Sequence, residues 1–312
     1  MQGVTDAPMR AYQGARGGFS FAVTEFIRVS QNSLPAKIFL RDVPELRTLS
    51  RTVTGLPVQV QILGGDPELM AETALAACRA GAIGIDINFG CPAPTVNRHD
   101  GGASLLRSPC RLKAIVQAVR TAVPATIPVS AKLRLGWDDI DDIFETAHMA
   151  EEGGADWITI HARTRVQGYE PPVHWGRVGE IRRELTVPVV ANGDIWSVSD
   201  LLRCQDETGC IHFMLGRGAL ADPFLSIEAA HALGISEAPV PEKLDWRLVL
   251  NRFVAFSEQS GFGNPNHILS RLKQWLCLAG RFGDFRYFRD VKKASSLDEL
   301  FAVLALLETL EG

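Results

Sequence analysis

The sequence predicts an α/β protein built as a (β/α)8 barrel of the TIM type. Short apolar, β-branched runs alternate with helical periodicities from Phe19 to Leu215, as in a parallel sheet with crossover helices. The runs are nearly all apolar rather than alternating, which is typical of strands buried on both faces. Polar motifs follow directly after the runs, at the edge where barrel active sites are built.

Seven strands are expected, and this number leaves two arrangements open. They span residues 19–26, 57–63, 83–88, 127–135, 156–161, 187–191 and 210–215. Seven is one short of a closed barrel of eight, and a loop-like stretch from Met1 to Asp6 leads directly into a helix. An open doubly wound sheet is therefore the alternative. We favour a barrel whose first strand is missing from this sequence, because the polar motifs cluster after the strands.

Helices are expected between the strands, at residues 67–80, 111–123 and 140–152, where apolar residues recur at three- and four-residue spacing. Asp66-Pro67 and Ser108-Pro109 resemble a cap followed by a first helical turn, and Gly153-Gly154 resembles a helix end.

The pattern changes after residues 234–242, whose composition predicts a linker. From Trp246 to Leu310 only helical periodicity remains. We therefore expect two domains: a barrel over residues 1–236 and a small all-α domain over residues 243–312.

Composition excludes several classes of protein. The 312 residues are 46% apolar and carry a net charge of -4, which excludes a disordered or fibrous chain. No apolar run is long enough to cross a bilayer and no signal sequence opens the chain, so we expect a cytoplasmic protein. The six cysteines form no Cys-x-x-Cys pair, which argues against disulfides and bound metal.

The strongest motif runs from Asn88 through Cys91 to Pro92 and continues at Gly101-Gly102. A lone cysteine is more often a small buried hydrophobe. This one follows a strand in a loop framed by glycine and proline, which favours a functional role. The glycine pair is expected to give the next loop room to move.

The next strand carries two cations, Lys132 and Arg134, which share the parity that points side chains to one side. An exposed strand end would explain them. A buried anionic ligand explains them better, because a barrel interior does not accept two cations without a partner. His161, at the end of the following strand, is then a plausible site residue.

Two glycine-containing loops follow the last two strands and predict a phosphate site. On the missing-strand interpretation they are the loops after strands seven and eight, which commonly bind phosphate in such barrels. The residues concerned are Asn192, Gly193 and Asp194 in one loop and Gly216 and Arg217 in the other.

Gln61 is a polar residue inside an apolar strand and needs a partner there. A heterocycle with donor and acceptor edges would supply one. Together with Lys132 and the phosphate loops, it suggests flavin mononucleotide, FMN, as the cofactor.

These motifs resemble the tRNA-dihydrouridine synthases over nearly the whole chain. The resemblance rests on Asn88-x-Gly-Cys-Pro with Gly101-Gly102-Ala103, on Lys132 and on the loop motifs above. Segments at 132–137, 167–169 and 271–275 resemble the bacterial C subfamily, which reduces uridine 16 in the D-loop. The resemblance implies a flavin barrel with a helical tRNA-binding domain, in which NADPH or NADH reduces FMN and the flavin reduces the uracil C5=C6 bond.

The resemblance also implies residue roles. Hydride reaches C6, and Cys91 protonates C5 as a weak acid that is mostly protonated at neutral pH. The family's first strand ends in an Ala-Pro-Met motif against the flavin, and Met1 occupies its last position. The flavin-binding residues implied are Met1, Gln61, Lys132, His161, Asn192, Gly193, Asp194, Gly216 and Arg217. Asn88, Arg134 and Tyr169 are candidates for holding the uracil.

The segment 247–293, called the basic tail below, is the expected RNA-binding surface. It holds nine basic and three acidic side chains, a charge of +6, so the rest of the chain carries -10. A solvated helix face over an aromatic core would look similar, but the asymmetry fits phosphate binding. Arg28, Arg271 and Lys273 are hypothetical tRNA contacts, and we expect a monomer.

Two other functions compete with this one. A small-molecule flavin barrel of the dihydroorotate dehydrogenase type shares the phosphate loops but gives no reason for the basic tail. A catalytically silent tRNA-binding protein gives no reason for Cys91 and Lys132.

Overall fold

The sheet is entirely parallel and its strands follow one another in chain order. The structure is a computed structural model that describes residues 4–237, 240 and 244–311. The strands are β1 (Ala22–Val23), β2 (Ile27–Arg28), β3 (Val58–Leu63), β4 (Ile85–Asn88), β5 (Val129–Arg134), β6 (Trp157–His161), β7 (Val189–Asn192) and β8 (His212–Met214). Each strand from β3 onward pairs with the next one along the chain.

Helices connect and surround the strands. They are α1 (Ala7–Arg16), α2 (Ala36–Asp42), α3 (Pro67–Arg79), α4 (Pro94–Asn97), α5 (Pro109–Ala122), α6 (Asp142–Glu152), α7 (Trp175–Glu184), α8 (Val198–Thr208), α9 (Gly218–Ala221), α10 (Leu225–Ala232), α11 (Trp246–Gln259), α12 (Pro265–Phe282), α13 (Phe288–Val291) and α14 (Leu297–Glu311). Two 3-10 helices span Pro44–Thr48 and Gly102–Arg107. No helix in these described ranges is long and apolar enough to cross a membrane.

The strand order confirms the barrel-type prediction. A doubly wound sheet reverses its strand order at a switch point, whereas this order runs in one direction from β1 to β8. Within the described residues no ladder joins β8 to β1, so the curled sheet is open there.

The first predicted strand is wrong as a single element. Residues 19–26 are predicted to form one strand, but only β1 lies within this range, and β2 begins directly after it; both pair with β3. Between them the Thr24 side chain accepts a hydrogen bond from the backbone N–H of Gln61 at 3.0 Å. A side chain thus replaces a backbone partner at this point, and the ladder is interrupted.

The predicted helices are confirmed as α3, α5 and α6. Asp66 caps α3, because its side chain accepts from Leu69 N–H at 2.9 Å. Ser108 stands at the same position of α5 without a side-chain cap bond. Gly153 is the C-cap of α6, and Gly154 has a φ of +93°, which favours glycine.

Two hydrophobic cores hold the chain together. The larger core lies between the sheet and its surrounding helices. The smaller core is built from α11, α12 and α14, and Met9, Tyr12 and Leu220 pack into it. The indole N–H of Trp275 on α12 donates to the backbone oxygen of Leu220 at 2.7 Å. The helical segment is therefore fastened to α1 and α9.

Part of the predicted linker at 234–242 lies outside the described residues, since 238–239 and 241–243 are among those not described. All described elements after it are helical, as predicted. The division into domains at 236 and 243 stays a prediction.

Candidate active site

A cavity of about 1260 Å³ runs along the strands from their amino ends to their carboxyl ends, where the predicted motifs lie. Parallel strands of a barrel direct their following loops to this edge, which explains why motifs distant in sequence meet there. The predicted residues that line it are Gln61, Asn88, Cys91, Lys132, Arg134, His161, Tyr169, Asn192, Gly193, Asp194, Gly216 and Arg217. Met1 lies outside the described residues.

Cys91 follows β4 and is held by its backbone. Its N–H donates to the side-chain oxygen of Asn88 at 3.0 Å, and its carbonyl accepts from Ala103 N–H at 3.1 Å. Gly102 has a φ of +61°, and a Cβ added there would lie 3.1 Å from the Cβ of Cys91. Gly102 therefore permits close approach to Cys91, and the expectation that the glycine pair gives the loop room to move stays a prediction.

Gln61 finds its partners within the protein. Its Nε2 donates to Asp86 at 2.7 Å, and its Oε1 accepts from the Nδ2 of Asn88 at 2.8 Å. The argument that this buried amide needs a heterocycle as its partner was wrong. The second N–H of the Gln61 amide donates to no described residue and can still face a ligand.

Lys132 reaches across the cavity from β5. Its Nζ donates to the Oδ1 of Asn192 at 3.1 Å, and the Asn192 amide nitrogen donates to the backbone oxygen of Met214 at 2.7 Å. Burial and the nearby Arg134 lower the pKa of Lys132 to about 8, although Asp86 opposes this shift. The ammonium group is thus in place to donate a hydrogen bond to a neighbouring anionic atom.

Arg134 is almost completely buried, and its partners are backbone carbonyls. Its guanidinium donates to the oxygens of Gly90, Thr164 and Gly168 at 2.7 to 2.9 Å, and it lies 5.3 Å from the Tyr169 ring centroid. These carbonyls satisfy the hydrogen bonds of Arg134 but carry no net charge, so the anionic ligand predicted beside Lys132 and Arg134 stays a prediction. This residue fastens the loop after β4 to the loop after β6.

His161 is a buried, neutral imidazole. Burial lowers its pKa well below the usual value, and the charges of Arg134 and Lys132 lower it further. Its ring lies 6.0 Å from that of Tyr169, which is half exposed at the cavity mouth. His161 can therefore offer a hydrogen bond without adding charge.

The loops after β7 and β8 have the properties of an anion cradle. Within the described residues, the backbone N–H groups of Gly193, Asp194, Gly216 and Arg217 donate to no acceptor. A Cβ at Gly216 would meet nothing within 4 Å, so the space beside it is open. The residues present therefore fit a phosphate group held by backbone amides.

The acidic side chain in this cradle is neutralised. Asp194 forms a two-pronged ion pair with Arg163, whose Nη1 lies 2.8 Å from Oδ1, and Arg217 approaches the same carboxylate at 3.6 Å. Because the charge of Asp194 is compensated, it does not prevent an anion from binding nearby.

Comparison with known proteins identifies the family. The family described as "Dihydrouridine synthase (Dus)" matches residues 1–308. The chain belongs to the dihydrouridine synthase family. Its members are flavin-dependent oxidoreductases, which agrees with the anion cradle and the cavity beside it.

Relatives match most of the synthase. A protein of Pseudomonas putida named tRNA-dihydrouridine(16) synthase is 44% identical over 90% of this chain and 86% of its own. A protein of the same name from Aquipseudomonas alcaligenes is 41% identical over 98% and 97%. The structure of an old yellow enzyme homologue from Zymomonas mobilis shares the fold, with a TM-score of 0.51 and 14% identity over 77% of this chain and 85% of that one.

Two residues of the synthase site, Asp86 and Arg163, were given no role from the sequence. Asp86 binds Gln61, and Arg163 neutralises Asp194. The sequence does indicate a role for Asp86, because an acidic residue between Ile85 and Ile87 in a buried strand is expected to have a hydrogen-bonding or charged partner.

The three hypothetical tRNA contacts lie apart from the cavity lining. Arg28 donates to the Thr95 carbonyl at 3.2 Å, Arg271 pairs with Asp6 at 3.2 Å, and Lys273 donates to the Ala294 carbonyl at 2.5 Å. Other cations of the basic tail are exposed and have no carboxylate within 4 Å among the described residues. These are Arg252, Arg281, Arg286, Arg289, Lys292 and Lys293.

Proposed function

We propose that this synthase acts on tRNA and reduces the C5=C6 bond of the uridine at position 16 in the D-loop. The observation that carries the proposal is one cavity that holds both Cys91, a proton donor, and Lys132, a cation beside an anion cradle. The names of the relatives support both the substrate and the position.

FMN is the proposed flavin, with NADPH or NADH as its reductant. The free amides of Gly193, Asp194, Gly216 and Arg217 would hold the phosphate. The side chains of Gln61, Lys132, His161 and Asn192 line the cavity further in and would face the ring. When bound, the flavin supplies the hydride that reaches C6 of the uracil.

The residues of the chain supply the proton and the electrostatics. As negative charge develops at C5 and at the C4 carbonyl oxygen, the Cys91 thiol transfers its proton to C5 and becomes a thiolate. Lys132 donates to an acceptor atom and disperses the negative charge that develops there. His161 stays neutral and so does not compete for the proton.

The uracil has to leave its stack to enter the cavity, which costs a few kcal/mol and least in an unpaired loop. Tyr169, half exposed at the mouth, offers an aromatic face for the base. Asn88 retains one N–H that makes no hydrogen bond to a described residue. Arg134, the third predicted uracil contact, would act by holding the Tyr169 loop through the Gly168 carbonyl.

The experiment separates the two half-reactions. We expect the purified protein to carry a yellow flavin, and tRNA from a deletion strain to lack dihydrouridine at position 16. Cys91→Ala should still allow NADPH to reduce the flavin but should abolish uridine reduction. The matched control is Cys110→Ala, which removes an exposed cysteine and should keep full turnover.

Three results would contradict parts of the proposal. Full turnover by Cys91→Ala would remove its role as the acid. Loss of dihydrouridine at another D-loop position would overturn position 16. A colourless protein that binds tRNA would indicate a binding function without catalysis.

A further inference from the structure

A chain of hydrogen bonds begins deep in the sheet at Asp86, a side chain that is 1% exposed. One carboxylate oxygen accepts from the Ser130 hydroxyl at 2.6 Å, and the other accepts from Gln61 Nε2 at 2.7 Å. The Gln61 oxygen then accepts from Asn88 Nδ2 at 2.8 Å. Three neighbouring strands, β3, β4 and β5, are linked in this way.

The chain ends at the loop that carries Cys91. The side-chain oxygen of Asn88 accepts from the backbone N–H of Gly90 at 2.9 Å and from that of Cys91 at 3.0 Å. Both acceptor positions of this oxygen are therefore occupied.

The two ends of the chain determine the orientation of everything between them. Burial raises the pKa of Asp86, while its hydrogen bonds from Ser130 and Gln61 and the charge of Lys132 oppose this shift. In its ionised form the carboxylate only accepts hydrogen bonds, and a backbone N–H only donates. The amides of Gln61 and Asn88 can satisfy both ends in one orientation only, with each nitrogen toward Asp86 and each oxygen toward Cys91. We propose that Asp86 is a positioning residue that fixes both amides and, through Asn88, the backbone of Cys91.

The same polarity restricts what the cavity can recognise. Since the Asn88 oxygen is fully used, this residue offers a ligand only its second N–H. The neighbouring Lys132 is also a donor. The atom of the base or flavin that faces Asn88 must then be an acceptor, such as a carbonyl oxygen, where the proposed reaction accumulates negative charge.

This inference rests on the proposed role of Cys91, but it can be tested without the reaction. The readout is the rate at which iodoacetamide alkylates Cys91 in the protein as purified, resolved by peptide mass spectrometry. Cys110 and Cys277 are exposed in the same chain and serve as internal references for reagent and folding. No tRNA or NADPH is needed, so a failure of the proposed function would not alter this result.

Variants that reverse the polarity make the test specific. Asn88→Asp accepts from Cys91 but cannot donate to Gln61, so the alkylation rate constant of Cys91, corrected for the thiolate fraction that the new negative charge changes, should rise about tenfold. Asp86→Asn alone should stay within about twofold, because its oxygen still accepts from Gln61 and its amide can face the Ser130 oxygen. The double variant Asp86→Asn/Asn88→Asp lets Gln61 turn over, with its nitrogen toward position 88, and should return the rate toward wild type.

A merely structural role for Asp86 gives a different pattern. If the double variant is alkylated as fast as Asn88→Asp, or if Asn88→Asp matches wild type, the proposal is overturned. Asp86→Leu, which removes the acceptor, should accelerate Cys91 alkylation while the Cys110 rate stays constant. If Asp86→Leu does not fold, the near-isosteric variants at positions 86 and 88 still decide the question.

Discussion

Lys132 gives the synthase a distinctive pH dependence. Burial and Arg134 lower its pKa from the ordinary value of 10.5 to about 8. Between these two values the unfolded chain binds a proton that the folded protein has released. The free energy of unfolding therefore rises with pH in this window, and the contribution of Lys132 is constant below pH 8.

We expect this rise to disappear in Lys132→Met. Urea denaturation of flavin-free protein at pH 8 and pH 10 measures this rise in the free energy of unfolding. The difference between variant and wild type isolates Lys132, because the contributions of the other titrating groups are common to both proteins and cancel. Lys113→Met is the matched control, since Lys113 is a surface lysine paired with Glu152 at 2.6 Å. Equal pH dependence of wild type and Lys132→Met would contradict the prediction.

At this scale the sequence predicted residue types better than their partners. Gln61, Lys132 and Arg134 were all found in the cavity lining. The partners of Gln61, however, lie 25 or more residues away in the sequence, and those of Arg134 lie 30 to 44 residues away. Such pairings depend on strand register, which a local pattern does not contain.

Two helix starts of similar sequence should differ in stability. Asp66 and Ser108 both precede a proline at the first helical position, and both are exposed. Only Asp66 forms a side-chain cap bond, to Leu69 N–H. Asp66→Ala should therefore reduce the free energy of unfolding by about 1 kcal/mol.

Ser108→Ala is the matched control for this change and should have an effect within about 0.5 kcal/mol. Urea denaturation midpoints at constant slope give both values. An equal loss in the two variants would show that the cap bond of Asp66 adds nothing.

Element boundaries were predictable where their causes are local. The starts of α3 and α5 follow from a proline at the first helical position, and the start of α3 follows also from the Asp66 cap. The break between β1 and β2 does not, because it depends on the Thr24 hydroxyl meeting the backbone of Gln61. The apolar run over 19–26 gave no sign of that contact.

At the scale of the whole molecule, the helical segment shares its core with the rest of the chain. Met9 and Tyr12 of α1 and Leu220 of α9 pack into it, and Trp196 stacks on Phe282 with ring centroids 4.7 Å apart. Composition and linker signals predicted the segment itself. They could not predict the contact between the helical segment and the rest of the chain, because the residues outside the segment come from three distant parts of the sequence.

The exposed cations of the basic tail should control the affinity for tRNA. Arg281, Arg286 and Arg289 are exposed and have no carboxylate partner among the described residues, so they are free to displace counterions from phosphates. We expect tRNA affinity to fall steeply with salt. Replacing all three by Gln should weaken binding at low salt and reduce the slope of log K against log salt by about 2 to 3.

A second triple variant distinguishes local contact from net charge. Arg47, Arg182 and Arg183 are also exposed but lie on elements packed around the sheet. Their replacement by Gln changes the net charge of the molecule equally and should leave the slope nearly unchanged. If both triple variants lower the slope alike, binding follows overall charge. A wild-type affinity independent of salt would count against phosphate contacts by the tail altogether, because the acidic remainder of the chain, at -10, offers tRNA no comparable attraction.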